Sequence, residues 1–131
     1  VNPELIIAAL LGAPGVTALV GTRRALGQLP QGSAFPGVVY QVVDAMPTPQ
    51  VSLRTPVRAR ARVQINPLAK AVPEVKAIHA AVRAALEQAG PFTAAGKRVL
   101  SCRFASLGPM DCDDDAGIWT QPADYLLIYD E

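Results

Sequence analysis

Residues 29–44 read LPQGSAFPGVVYQVVD, and the rest of the chain can be placed by working outward from them. Pro30, Gly32 and Pro36 interrupt any regular element in the first half. Residues 38–43 then supply β-branched side chains with one Tyr and one Gln, a composition that packs on a pleated surface rather than around a helix. The stretch predicts a well-buried central strand entered through a fixed turn.

Upstream, Asn2, Pro3 and Glu4 make a helix start: a capping side chain, a proline in the first turn, and an acid at the positive end of the dipole. Leu5, Ile6, Ala9 and Leu10 are expected on one face, and Gly12 ends the helix. A shorter helical turn follows from Pro14, with Val16, Leu19 and Val20 facing in and Gly21 closing it. Residues 22–29 read as a connector with a short extended piece. The apolar run at residues 5–11 has no cationic segment before it and falls short of the ~20 residues of a membrane span. It reads as a core helix, with no membrane contact expected.

Downstream, residues 45–56 read AMPTPQVSLRTP. Pro47, Pro49 and Pro56 cannot donate to a ladder, so the segment is expected to be a loop or a hairpin tip. Loops of about a dozen residues tend to be functional or disordered. Residues 57–66, VRARARVQIN, alternate: Arg58, Arg60, Arg62 and Gln64 on one face, Val57, Ala59, Ala61, Val63 and Ile65 on the other. That period is a strand with one buried face.

Residues 73–89 carry Val75, Ile78, Val82, Ala85, Leu86 and Ala89 at helical spacing, and Gly90-Pro91 ends the helix. Residues 97–107 predict a strand with Leu100, Cys102 and Phe104 on one side. Residues 108–117 form an acidic, turn-rich tip, and residues 118–130 contain a last strand. The order predicts one α+β domain over residues 1–131: a largely antiparallel β-sheet of about four strands with α-helices packed on one face.

Composition narrows the function classes. The 12 Lys+Arg nearly balance the 11 Asp+Glu, which argues against a dedicated nucleic-acid binder. Half the residues are hydrophobic but only 5% are aromatic, so Ala, Val and Leu must build the core. The two cysteines, Cys102 and Cys112, do not make a disulfide framework, and a bridge between them has little support. Cys102 reads as a core residue, and Cys112, among carboxylates, as a poor nucleophile. His79 is the single histidine, with no second one to complete a metal site, and reads as a helix-flank residue. The chain has no Gly-rich phosphate loop and no Gly-x-Ser-x-Gly elbow.

Two charged clusters remain. Asp111, Asp113, Asp114 and Asp115 have the look of calcium ligands, but an EF-hand loop needs Gly at its sixth position and Glu at its twelfth, where this chain has Ala116 and Pro122. The cluster reads as a solvated hairpin tip or the acidic half of a subunit contact. Arg58, Arg60 and Arg62, with Arg54 nearby, put several cations on one strand face. Such a row is either a solvated face salt-bridged to a neighbouring strand, or a surface for phosphate or acidic protein. Repetition by ring symmetry would strengthen its field.

In order along the chain, PGVTALVG (14–21), LPQGSAFPGVVYQ (29–41), ARVQI (61–65), VKAIHAAVRAAL (75–86) and ADYLLIYDE (123–131) resemble the tail completion, or tail terminator, family of long-tailed bacteriophages. The chain is similar in broad fold to the phage lambda tail terminator. No single block is specific; their order and spacing carry the likeness. The resemblance implies structural work without catalysis, cofactor or metal. It implies a homo-oligomeric ring, commonly of six subunits, at the head-proximal end of the tail tube. Such a ring stops tube growth, joins the tail to the head connector or stopper, and lets viral DNA pass without sequence-specific binding. The location implied is the virion tail, with assembly in the host cytoplasm.

Within that expectation, Arg54, Arg58, Arg60 and Arg62 form an assembly or lumen surface. Met46, Thr48, Gln50 and Ser52 form one partner-contact loop, and Asp111, Asp113, Asp114 and Asp115 another. The alternatives are a head completion or stopper protein of the same joint, and a small cytoplasmic ligand-binding α+β domain.

Overall fold

The computed structural model describes residues 3–30, 32, 34–47, 58–88 and 90–130. Eleven elements follow in order: α1 (Pro3–Leu10), α2 (Pro14–Val20), β1 (Arg24–Leu26), β2 (Gly37–Pro47), β3 (Arg58–Ala69), α3 (Val72–Leu86), β4 (Phe92–Ala94), β5 (Lys97–Leu107), β6 (Asp111–Asp113), β7 (Ile118–Thr120) and β8 (Ala123–Asp130). The α+β class is as the sequence predicts.

Among the described residues the sheet has eight strands rather than about four, in the order β1-β2-β3-β8-β5-β4, with β7 on the end of β3 and β6 on β7. The four expected strands are the long ones, β2, β3, β5 and β8; the four added strands have three residues each. All pairings are antiparallel except β1 with β2.

β3 and β8 form the centre. Their burial alternates residue by residue, and β3 extends to Ala69, beyond the expected end at Asn66. Ala59, Ala61, Val63, Ile65, Ala123, Tyr125, Leu127 and Tyr129 face the helices, none more than 1% exposed. Burying a side chain such as Ile65 or Leu127 contributes roughly 1.5–3 kcal/mol. Val75, Ile78, Val82 and Leu86 of α3 pack on them, as the helical spacing predicts. The helix ends at Leu86, three residues before the expected Ala89, which lies outside the described residues.

Several expectations are corrected. In α1 the buried face is Pro3, Ile6, Ile7 and Leu10. Ile7 replaces Leu5, which is 53% exposed, and Ala9 is exposed too, because at about 3.6 residues per turn both lie away from the face shared by Pro3, Ile6, Ile7 and Leu10. Leu19 of α2 also faces outward. In β5, Val99 is buried in place of Leu100, because the register slips by one between Val99 and Ser101 and Leu100 becomes the extra residue of a bulge.

The strand at residues 37–47 is not central. Gly37, Val38, Val39 and Tyr40 are buried, but from Gln41 onward β2 is half-buried or exposed. β1 flanks only Val38–Tyr40 and then stops, leaving the rest of β2 on the sheet margin. Residues 45–47 continue β2 instead of opening a loop, because Ala45, Met46 and Pro47 pair with Ala61, Arg60 and Ala59. Pro47 needs no ladder donor on the outer side of a marginal strand. The turn into β2 is close-packed: a Cβ on Gly37 would lie 2.6 Å from Leu29 Cδ1 and 3.1 Å from the Arg23 carbonyl oxygen.

Among the described residues no single helix is long and apolar enough to cross a membrane.

Candidate functional site

The arginine row sits on the sheet face away from the helices, and most of it is answered by β8. Arg62 Nε donates to Asp124 Oδ2 at 2.8 Å, and Arg62 Nη2 donates to Ser106 Oγ at 3.1 Å. Arg58 Nε donates to Asp130 Oδ1 at 3.3 Å. Gln64 donates to the other oxygen of Asp124 and accepts from Gln41 and Asn66. Arg60 has no carboxylate partner among the described residues; its Nη2 lies 3.9 Å from Met46 Sδ. The register explains the pattern, since Arg58 stands opposite Asp130 and Gln64 opposite Asp124. Ion pairs this exposed contribute about 0–1 kcal/mol each. Charge on this face is therefore largely internal, with Arg60 the exception. Arg54, Thr48, Gln50 and Ser52 lie outside the described residues.

The acidic cluster is a hairpin. Asp111–Asp113 and Ile118–Thr120 pair, and the turn between them is held by Asp113. Its Oδ1 accepts from the backbone N–H groups of Asp115 and Ala116, its carbonyl accepts from Gly117, and Gly117 has φ 67°. A positive φ there suits glycine. Asp111 Oδ1 accepts from the Cys112 N–H. No described cation pairs with any of these acids. Among the described residues no group of His, Cys, Asp and Glu is arranged to hold a metal ion.

His79 lies at a cavity of about 290 Å³ between α3 and the sheet, lined by Lys76, Arg83, Phe104, Leu107 and Tyr125 among others. His79 Nε2 stands 2.8 Å from the Gln121 carbonyl oxygen, so it must carry the proton and donate. Nδ1 is buried without a partner. Burial lowers the His79 pKa against the opposing pull of the Gln121 carbonyl, and Lys76 lowers it further. The ring is thus neutral near pH 7. Gln121 is buried and fully engaged, accepting from Lys76 Nζ at 3.2 Å and donating to the Gly108 carbonyl at 3.0 Å.

Among the described residues no Ser, Cys, Asp or Glu lines the cavity, so His79 has no hydroxyl or thiol of the Ser–His or Cys–His type and no orienting carboxylate beside it. Both cysteines are free. Burial pushes the Cys102 thiol up to about 12, and it belongs to the core as expected. Cys112 is also raised, by desolvation and then by Asp114, Asp113 and Asp111, as a thiol among carboxylates should be.

What the sequence did not reveal are the margins of the sheet. On the outer side of β2, residues 41–47 meet no strand among the described residues. On the outer side of β5, the short β4 covers only Lys97–Val99, and residues 100–107 meet none. One N–H of that margin, Phe104, is taken by Glu87 Oε1 at 2.8 Å. Exposed apolar side chains gather here: Val43 and Met46 on β2, Leu107 on β5, and Leu26 on β1. The only sequence signal was the misfit of Val43 and Leu107 to their strands' alternation.

Compared with known families, residues 4–114 match the model of the tail completion protein gp17 family. No curated protein matches the chain. Among solved structures, a chain of the virion of a native gene transfer agent particle superposes with a TM-score of 0.68 at 18% identity, covering 98% of this chain and 97% of that one. A second solved structure superposes with a TM-score of 0.57 at 19% identity, covering 98% and 94%. At these identities the two structures speak for the fold.

Proposed function

This chain belongs to the tail completion protein gp17 family and is a structural phage-tail protein, and from that premise we propose that it closes the tail as a ring. The ring sits at the head-proximal end of the tail tube. It stops tube growth and presents the face on which the head connector or stopper docks. Six subunits are the expected number, viral DNA passes through the lumen, and the assembled protein resides in the virion tail at the head joint after assembly in the host cytoplasm. The particle-borne structure it resembles fits a virion part.

The observation that carries this reading is the pair of open sheet margins. Residues 41–47 of β2 and residues 100–107 of β5 lie on opposite sides of one sheet; among the described residues neither meets a further strand there, and each carries exposed apolar side chains. An open strand margin is a template for pairing with another chain unless it is blocked. Two different margins on opposite sides of one subunit permit head-to-tail contacts, which close into a ring when the rotation allows. The arginine face then turns either to the lumen or to a neighbour. With Arg58 and Arg62 answered internally, its pull on DNA is weak and sequence-independent.

Native mass spectrometry of the purified chain, with electron microscopy of the chain added to tail tubes, tests the reading. A closed oligomer that caps one tube end is the expected result. Localisation above the joint would instead favour a stopper role. A stable monomer that ignores tubes and binds a small molecule in the α3 cavity would favour the ligand-binding alternative.

A further inference from the structure

The sheet has a second pair of outer sides, at the end where β7 replaces β8 beside β3. There the strands run β1-β2-β3-β7-β6. The register places both outer members at one level. Arg24 stands opposite Val38 and, through it, Pro67. The neighbouring rung runs Gly37, Leu68, Thr120 and Asp111. Because β1 and β2 are parallel, Arg23 falls level with Gly37, and its carbonyl accepts from the Val38 N–H at 2.9 Å. Basic residues therefore flank one side of this row, and Asp111, Asp113, Asp114 and Asp115 flank the other.

Among the described residues neither group has an ion-pair partner in its own subunit. Arg23 Nε donates to the Pro36 carbonyl at 2.7 Å and Arg24 Nε to the Gly21 carbonyl at 3.0 Å. Those bonds fix the guanidiniums without supplying a counter-charge, and no described carboxylate pairs with either. Among the described residues the side chains of Asp111 and Asp113 accept only from backbone N–H groups. By contrast, Arg58 and Arg62 in the interior of the sheet have acids beside them. Opposite charges left open at the two ends of one row suit each other across copies, where complementary potentials steer docking and fix register.

We propose that the acidic β6–β7 hairpin of one copy docks against Arg23 and Arg24 beside β1 of a second copy of this chain. The inference rests on the ring reading and deepens it by naming the contact. The two groups share a level on the sheet, so the step from copy to copy runs across the strands with no shift along them. A step without such a shift closes into a ring when its rotation divides the circle, whereas one with a shift generates a filament.

Two reversed-charge variants test this. Arg23→Glu/Arg24→Glu makes both sides acidic. Asp111→Lys/Asp114→Lys/Asp115→Lys makes both basic and spares Asp113, which holds the turn. Each alone should need on the order of 100-fold more protein than the wild type to assemble, because like charges then face each other. Mixed in equal amounts, the two should assemble as strictly alternating rings of even number by native mass spectrometry.

Circular dichroism checks the fold of each. If losing the Pro36 and Gly21 anchors unfolds the arginine variant, the lysine variant carries the test. It must lose assembly alone and recover part of it in high salt. A lysine variant that assembles like the wild type overturns this contact while leaving the ring intact. A wild type that stays monomeric at every concentration overturns the ring and this contact together.

Discussion

The centre and the margins of the sheet follow different rules. Along β3 and β8, most of each face has its answer inside the chain: apolar side chains against the helices, and Arg62, Gln64 and Arg58 against Asp124 and Asp130, with Arg60 the exception. Along the outer sides of β2 and β5, residues 41–47 and 100–107 meet no further strand among the described residues, and the side chains of Val43, Met46 and Leu107 are exposed. The centre holds the core, and on the proposed ring reading the margins are where another chain pairs.

That contrast can be broken most severely from the centre. Leu127→Ala should cost ~2–5 kcal/mol in urea unfolding, since it empties a fully buried site. A cost well below that range would mean the helix-covered face is not the core. Asp124→Ala comes next. It removes an acceptor from Arg62 and from Gln64, both part-exposed, and should cost about 1 kcal/mol by the same measurement.

A pH effect should be smaller still. The native pKa of His79 is lowered, so its contribution is fully present above the ordinary value of 6.5 and is lost as pH falls through the lower native value. Unfolding free energy should therefore slope downward below about pH 6.5, and His79→Gln, which keeps a donor for the Gln121 carbonyl, should flatten that component. A slope unchanged in the variant would remove His79 as its source. At the margins, Val43→Ser/Leu107→Ser should change stability by no more than ~0.5 kcal/mol, as exposed sites do. The same variant should assemble poorly, as read by light scattering. Loss of stability without loss of assembly would invert the contrast.

The central strands were legible in the sequence because their signal is periodic. VRARARVQIN alternates, and the stripe from Val75 to Leu86 repeats at helical spacing. The bulge at Leu100 was not legible, since an extra residue shifts the phase without changing the composition. β1, β4, β6 and β7 are too short for any period to register. The run VVYQVV misled in the other direction. Its apolar character reads as a central strand, yet Val43 is 50% exposed because the flanking strand stops at Leu26. Of the charged groups, the arginine row was visible at once. Its pairing with Asp124 and Asp130 was not, because register between strands 62 and 72 residues apart is a tertiary fact.

Hydrogen exchange, compared between the free subunit and the assembled tail, tests most directly whether the margins are joints. The outward-facing amides of residues 41–46, and those of residues 100–107 other than Phe104, whose N–H is held by Glu87, should exchange quickly in the free protein and become protected in the particle, while the amides of β3 and β8 stay protected in both. Margins that exchange equally fast in the two states would contradict the account.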